Sequence, residues 1–260
     1  MPIRFIKVKA KNIFTKTKLP GCKWVINQYV GCQFSCRYCY AKFLCKWKNY
    51  DKWGSWVEIK INAVEKVKDK YVDGFVFMSS VSDPYQPIEK KLCLTRKILE
   101  NMNKKVKIGI QSKSSLLLRD VDVFKKFKTI EVGLTINGFD GKLKHEIEPY
   151  SPPHKKRLNA LKVLKEEKIK NYAFISPVIP GLVDVEKIIM ETKGFVDKYW
   201  IEILNLKASG YEFVEWLKSN FPESYNILVN KEKMNKFIKN ILKFSNKNKI
   251  VIEDLILHKL

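Results

Sequence analysis

Histidine is scarce in this chain: three residues in 260, His145, His154 and His258, none of them near the cysteines at 32–39. A zinc site assembled from neighbouring Cys and His is therefore short of ligands. No uninterrupted apolar run approaches the ~18–20 residues needed to cross a bilayer, so no membrane association is expected. The opening stretch, Met1 to Lys18, is basic and lacks the apolar centre of a secretion signal. A cytoplasmic location is expected on these grounds. Gly/Ser linkers, low-complexity blocks and a fixed repeat period are also missing. A chain of this length can bury a full core, and one domain is the simplest organisation. No Ser/His/Asp triad, phosphate-binding Gly-rich loop or paired-carboxylate motif offers a ready chemistry.

Acidic residues are few, 27 Asp+Glu against 50 Lys+Arg, for a formal net charge of +23. A field of that sign attracts polyanions, with DNA or RNA the obvious partner. Lysine accounts for most of the excess, and it is the less geometrically specific cation. Charge spread over solvated faces is an equal reading.

Short apolar runs alternate with helical patterns, which predicts β/α units around a parallel sheet. Strands are expected at Trp24–Tyr29, Gly74–Ser79, Val106–Gln111, Thr129–Ile136, Asn171–Ile175 and Tyr199–Asn205. In the fourth, Ile130, Val132, Leu134 and Ile136 share one face, and Glu131, Gly133 and Thr135 the other. In a barrel the second set would look into a polar lumen. Trp53-Gly54-Ser55-Trp56 reads as a turn before a helix around Ala63–Lys70. Asp184 is a fair N-cap for the next helix. The tail carries an amphipathic stripe of Met234, Phe237, Ile238, Ile241 and Leu242.

Six cysteines remain, and in a cytoplasmic chain they point to metal or catalysis before disulfides. Cys22, Cys45 and Cys93 have no compact spacing and read as plain thiols. Cys32, Cys36 and Cys39 stand at Cys-x3-Cys-x2-Cys. Three thiols are too few to close a four-ligand zinc site alone. They suit an iron–sulfur cluster with three irons held by Cys and one left open. Tyr38, directly before the third Cys, can shield such a cluster from water and so tune its potential.

Cys-x3-Cys-x-aromatic-Cys resembles the cluster motif of radical S-adenosylmethionine (SAM) enzymes. Further stretches resemble the spore-photoproduct-lyase-like, "DNA repair photolyase" family. These are Asn27 to Cys32, Ser82 to Glu89, Ser112-Lys113-Ser114, Leu118-Arg119-Asp120, Glu148-Pro149, Arg157-Leu158 and Ile175 to Asp184. The likeness covers roughly Pro20 to Asn205. It implies an α/β fold, a partial TIM barrel of (β/α)6 type over 21–209. A basic N-terminal segment (1–20) and a C-terminal helical extension (210–260) packed on the barrel would flank it. It implies a [4Fe-4S] cluster on Cys32, Cys36 and Cys39 and reductive cleavage of SAM to a 5′-deoxyadenosyl radical. That radical abstracts hydrogen from a substrate, which in this family can be a nucleic acid. An electron donor such as ferredoxin or flavodoxin is implied as a partner.

Carried over residue by residue, the resemblance places Tyr40 by the adenine or the cluster loop. Ser79, Ser80 and Ser82 fall where the methionine amino group is held, although the usual Gly-Gly-Glu form is absent. Lys113 matches a partner for the cofactor carboxylate, Thr135 a ribose contact, and Gly181, in the Pro177–Gly181 loop, an adenine contact. Asp83 either meets the amino group or caps a turn. Tyr85, Gln86 and Glu89 are expected near the mouth, against the substrate. Cys93 as a hydrogen donor is the weaker reading, and a packed thiol the better one. Two alternatives stay open: the same chemistry on a small metabolite or peptide, and a non-catalytic iron–sulfur or zinc protein that binds nucleic acid.

Overall fold

Alternating apolar residues give each strand one face for helices and one for a lumen, and the chain uses both. The computed structural model describes residues 3–258. Its strands are β1 (Arg4–Val8), β2 (Phe14–Lys16), β3 (Trp24–Ile26), β4 (Tyr29–Val30), β5 (Trp56–Lys60), β6 (Phe75–Met78), β7 (Lys107–Ser112), β8 (Ile130–Ile136), β9 (Asn171–Val178), β10 (Lys198–Ile203) and β11 (Ile252–Ile256). The main sheet runs β11-β10-β9-β8-β7-β6-β3-β2. All its neighbours are parallel except β2, which is antiparallel to β3. Parallel neighbours need crossovers. Leu94–Asn101, His154–Glu166 and Val185–Thr192 supply three of these as helices. The six expected strands are all present, as β3 and β6 to β10, and the architecture is the expected α/β partial barrel.

Val76, Met78, Ile108, Ile110, Val132, Leu134, Ile136, Ala173, Ile175, Ile201 and Ile203 are buried on the helix-facing side. Phe75, Phe77, Gly109, Gln111, Glu131, Thr135, Tyr172, Phe174, Trp200 and Glu202 face the lumen. Two lumen glycines make room for aromatic rings. A Cβ on Gly133 would stand 2.2 Å from the Tyr172 ring, and one on Gly109 2.5 Å from Phe75.

Three elements differ from expectation. The turn at Trp53–Trp56 leads into β5 before the Ala63–Val67 helix. Trp56, Val57, Glu58 and Ile59 are all buried there. The basic N-terminal stretch contains β1, which pairs parallel to β5 and completes a small sheet with β4. The helical tail (Tyr211–Asn220, Pro222–Val229 and Lys231–Lys247) is followed by β11, which joins β10 and extends the main sheet. Within the expected stripe Ile241 is buried, but Leu242 is exposed to solvent.

The cysteine loop follows β4 and has its own small core of Val30, Cys32, Phe34, Cys36, Ala41, Leu44, Trp53 and Trp56. Ser35 adopts a positive φ of 51° and Gly54 one of 91°. The two are pressed together, and a Cβ on Gly54 would lie 2.2 Å from Ser35 Oγ. Gly54→Ala is therefore expected to lower the unfolding free energy by about 2–3 kcal/mol in urea titration. Gly21→Ala meets the same kind of backbone (φ +69°) with no neighbour within 4 Å. It is expected to lose visibly less, and equal losses would remove the steric argument.

Candidate active site

A cavity of about 520 Å³ opens between the cysteine loop and the C-terminal ends of the barrel strands. This is the end at which barrels of this kind place chemistry. Cys32, Cys36, Cys39, Tyr40, Ser80, Ser82, Lys113 and Thr135 all line it. Gly181 does not. Its φ of 83° serves the turn before the Val185–Thr192 helix, with Ser224 Oγ beside it and Asp184 capping that helix through Lys187 N.

Cys32 and Cys36 are buried and Cys39 half-buried. Burial pushes all three thiols up, Cys36 to about 12. Thiolates there need a cationic partner, which a metal supplies. Among the described residues no three His, Cys, Asp or Glu side chains meet at a point that could hold a metal ion. Thiolates bonded to one zinc must converge within ~2.3 Å of it, whereas those bonded to three corners of a cluster stand farther apart. Three thiols carried on one loop are the donor set that a cluster with one open iron requires.

The loop is clamped from behind. Gln33 N donates to Gln86 Oε1 at 2.9 Å, Gln86 Nε2 to Gly31 O at 3.2 Å, and Ile88 N to Gln33 Oε1 at 2.6 Å. Tyr85, Gln86 and Glu89 are thus not at the mouth, as expected from sequence, but almost wholly buried. Glu89 accepts from Tyr29 Oη at 2.6 Å, Thr95 N at 3.0 Å and Arg119 Nη2 at 2.7 Å. Tyr85 Oη donates to Asp120 at 3.0 Å. These polar residues are a hydrogen-bonded scaffold, as buried polar groups must be.

Asp83 takes the turn-capping role and more. It accepts from Tyr85 N at 2.8 Å, from Ser112 Oγ at 2.6 Å and from Lys113 N at 2.8 Å. Burial raises its pKa even so. Its carboxylate fixes the backbone from which Lys113 reaches the cavity. Ser80 bonds Asn27 through both its N–H and its Oγ, and its carbonyl accepts from Tyr40 Oη. Ser82 Oγ donates to Tyr29 O at 3.1 Å, and Thr135 Oγ1 accepts from Gln111 Nε2 at 3.4 Å.

Glu148 is the electrostatic centre of the site. It is wholly buried and accepts from Tyr38 Oη, Arg157 Nη2, Asn137 Nδ2 at 2.7 Å and Ser151 Oγ at 2.7 Å. Burial alone would raise its pKa, but Arg157 and Lys113 outweigh it and hold the carboxyl at about 2. Lys113 Nζ lies 3.9 Å from Glu148 and 5.7 Å from the centre of the Tyr38 ring. One buried carboxylate thus faces two cations, which leaves Lys113 able to receive an anion from the cavity.

Residues 26–196, more than half of the chain, match the family model described as Radical SAM superfamily. The chain belongs to the radical SAM superfamily. An uncharacterized protein of Methanocaldococcus jannaschii is 55% identical over 98% of both chains. One from Acidianus two-tailed virus is 29% identical over 75% of this chain and 71% of its own. Among solved structures, spore photoproduct lyase complexed with dinucleoside spore photoproduct superposes with a TM-score of 0.67 at 12% identity. The match covers 97% of this chain and 82% of that one. At that identity the likeness is one of fold.

Sequence reasoning missed several residues of this radical SAM cavity. Cys22, read as a plain thiol, lines the wall, whereas Cys93 does not. Cys93 instead accepts a long contact from Arg119 at 3.4 Å. On the far wall Ser176 Oγ donates to Glu202 at 2.6 Å, and Glu202 also contacts His258 Nε2 at 3.0 Å. Trp53 lines the cavity beside the cysteines. Ser176 lay within the matching stretch Ile175 to Asp184, and Glu202 stood out as a lone carboxylate between Ile201 and Ile203.

Proposed function

We propose that the protein is a radical SAM enzyme that acts on a nucleic-acid substrate, with a [4Fe-4S] cluster on Cys32, Cys36 and Cys39 and SAM beside it. The reading rests on one observation: the three motif thiols share a single cavity with Tyr40, Ser80, Ser82, Lys113 and Thr135 at the C-terminal end of a radical SAM barrel. When bound, the cluster and SAM together supply one-electron cleavage of a carbon–sulfur bond, giving methionine and a 5′-deoxyadenosyl radical that abstracts hydrogen.

In this reading each residue has a physical task. Lys113 pairs with the SAM carboxylate, because its ammonium is fixed by the Asp83-held backbone and only loosely matched by Glu148. The backbone around Ser80 and Ser82 offers acceptors to the amino group, in place of a Gly-Gly-Glu sequence. Thr135 meets the ribose, and Tyr40 covers the cofactor from the loop side. The aromatic floor of Phe75, Tyr172 and Phe174 excludes water from below. Gly181 is left out of the contact set.

The nucleic-acid substrate is supported by the net charge of +23, by lysines exposed along the last helix (Lys231, Lys233, Lys236, Lys239 and Lys243), and by the fold shared with a structure that holds a dinucleoside lesion. A target base would have to leave its stack to reach this buried site. The test is binding of short DNA and RNA duplexes and single strands across salt concentrations. Affinity is expected to fall about 10³-fold or more between 50 and 200 mM salt if six or more phosphates are contacted. Absent or salt-indifferent binding would move the substrate to a small metabolite or peptide.

A further inference from the structure

The indole of Trp53 is almost wholly buried, yet its Nε1–H has no hydrogen-bond acceptor among the described residues. Indole nitrogen donates only, so the group has one way to be satisfied. A buried donor left unpaired carries its full desolvation penalty, which makes such groups rare in native proteins. Other indoles are satisfied: the adjacent Trp56 Nε1 donates to Asp51 O at 3.1 Å, and Trp24 Nε1, elsewhere in the fold, to Asp73 O at 2.9 Å.

Trp53 lines the same cavity as Cys32, Cys36 and Cys39 and packs in the same small core as Cys32, Cys36 and Phe34. Its position is fixed from two sides. Ser35 Oγ, within the cysteine motif, donates to Trp53 O at 3.2 Å, and Trp56 meets its ring edge-on with centroids 6.0 Å apart. Gly54, pressed on Ser35, allows no slack. The segment before β5 is thus built to hold this indole against the metal-binding loop.

We infer that Trp53 donates an N–H···S hydrogen bond to a ligand thiolate of the iron–sulfur cluster on the adjoining cysteine loop, and so tunes its reduction potential. The inference rests on the cluster reading above. Sulfur is the acceptor that the cluster brings to this wall. A donor aimed at cluster sulfur favours the reduced state, which carries one more negative charge, and raises the potential. In a protein whose cluster must accept an electron beside buried thiolates, such a bond offsets part of the penalty of burying that charge.

The test is an EPR-monitored redox titration of the reconstituted protein, with iron and sulfide content measured for every sample. Trp53→Phe keeps an apolar ring and removes the N–H, so its midpoint potential is expected to be more negative than the parent's at equal iron content. Trp56→Phe removes a neighbouring indole whose N–H is already bonded to Asp51, and its potential is expected to stay with the parent. Equal potentials for parent and Trp53→Phe, or the same shift in both variants, would overturn the inference. Should Trp53→Phe hold no cluster, parent protein carrying indole-15N tryptophan decides the matter. A 15N coupling to the reduced cluster in pulsed EPR is expected, and its absence overturns the bond. A parent that takes up no iron overturns the cluster reading itself, and the inference with it.

Discussion

Glu148→Ala is expected to lower the unfolding free energy of the metal-free protein by about 3–5 kcal/mol, read by urea denaturation. The carboxylate accepts from Tyr38, Asn137, Ser151 and Arg157 and faces Lys113. Removing it leaves two cations and three neutral donors buried without their common acceptor. Glu148→Gln keeps the volume and loses the charge, so it should fall between parent and Ala. The acid response follows from the same group. Its carboxyl titrates at about 2 in the folded state instead of the ordinary 4.5. A depressed folded-state pKa gives stability that is fully present above the unfolded value and is lost as pH falls through that window. The parent should therefore lose more stability between about pH 5 and about pH 3 than Glu148→Gln does. Parallel curves would mean that Glu148 is not charged in the folded protein.

Lys113→Met has its largest expected effect on cofactor binding. Burial works against the ammonium, but Glu148, Cys36 and Asp83 together outweigh it and the pKa is raised, so the charge is present at neutral pH. A charge-assisted bond to the SAM carboxylate is worth about 1.5–3 kcal/mol, or roughly 10- to 150-fold in affinity. Equilibrium dialysis of the cluster-loaded protein with SAM should show that loss, with iron content unchanged because no cysteine is touched. Met keeps the stem that packs by Tyr38, and Asp83 still holds residue 113 by its N–H. Unchanged affinity would confine Lys113 to neutralising Glu148.

How much of this was legible in the sequence depended on whether burial leaves a periodic trace. The parallel strands did, because Val76, Ile108, Val132, Ile175 and Ile201 must alternate with lumen residues along the barrel. The cysteine loop did, because its ligands are close in sequence. Strand β5 was hidden by the expectation that the turn at Gly54 would open a helix, although Trp56, Val57 and Ile59 are apolar. Strand β11 is short and carries exposed Glu253 and Asp254. Tyr85, Gln86 and Glu89 were misplaced for a deeper reason. A polar side chain buried in a hydrogen-bond network and one facing solvent look the same in a sequence. The partners that decide between them, Gln33, Tyr29, Thr95, Arg119 and Asp120, are scattered over the chain. Glu148 and Arg157 were noticed only as matching stretches, and nothing in their spacing shows that Arg157 and Tyr38 converge on Glu148. Trp53 and Cys22 gave no signal, because one aromatic or one thiol carries no period.

The central claim is that Cys32, Cys36 and Cys39 hold a cluster that cleaves SAM reductively. Its most direct test is anaerobic reconstitution with iron and sulfide, addition of dithionite and SAM, and quantification of 5′-deoxyadenosine from the parent and from Cys36→Ala. The account predicts product from the parent and none from the variant. No product from a parent whose cluster is verified and reducible, or equal product from both, would contradict it.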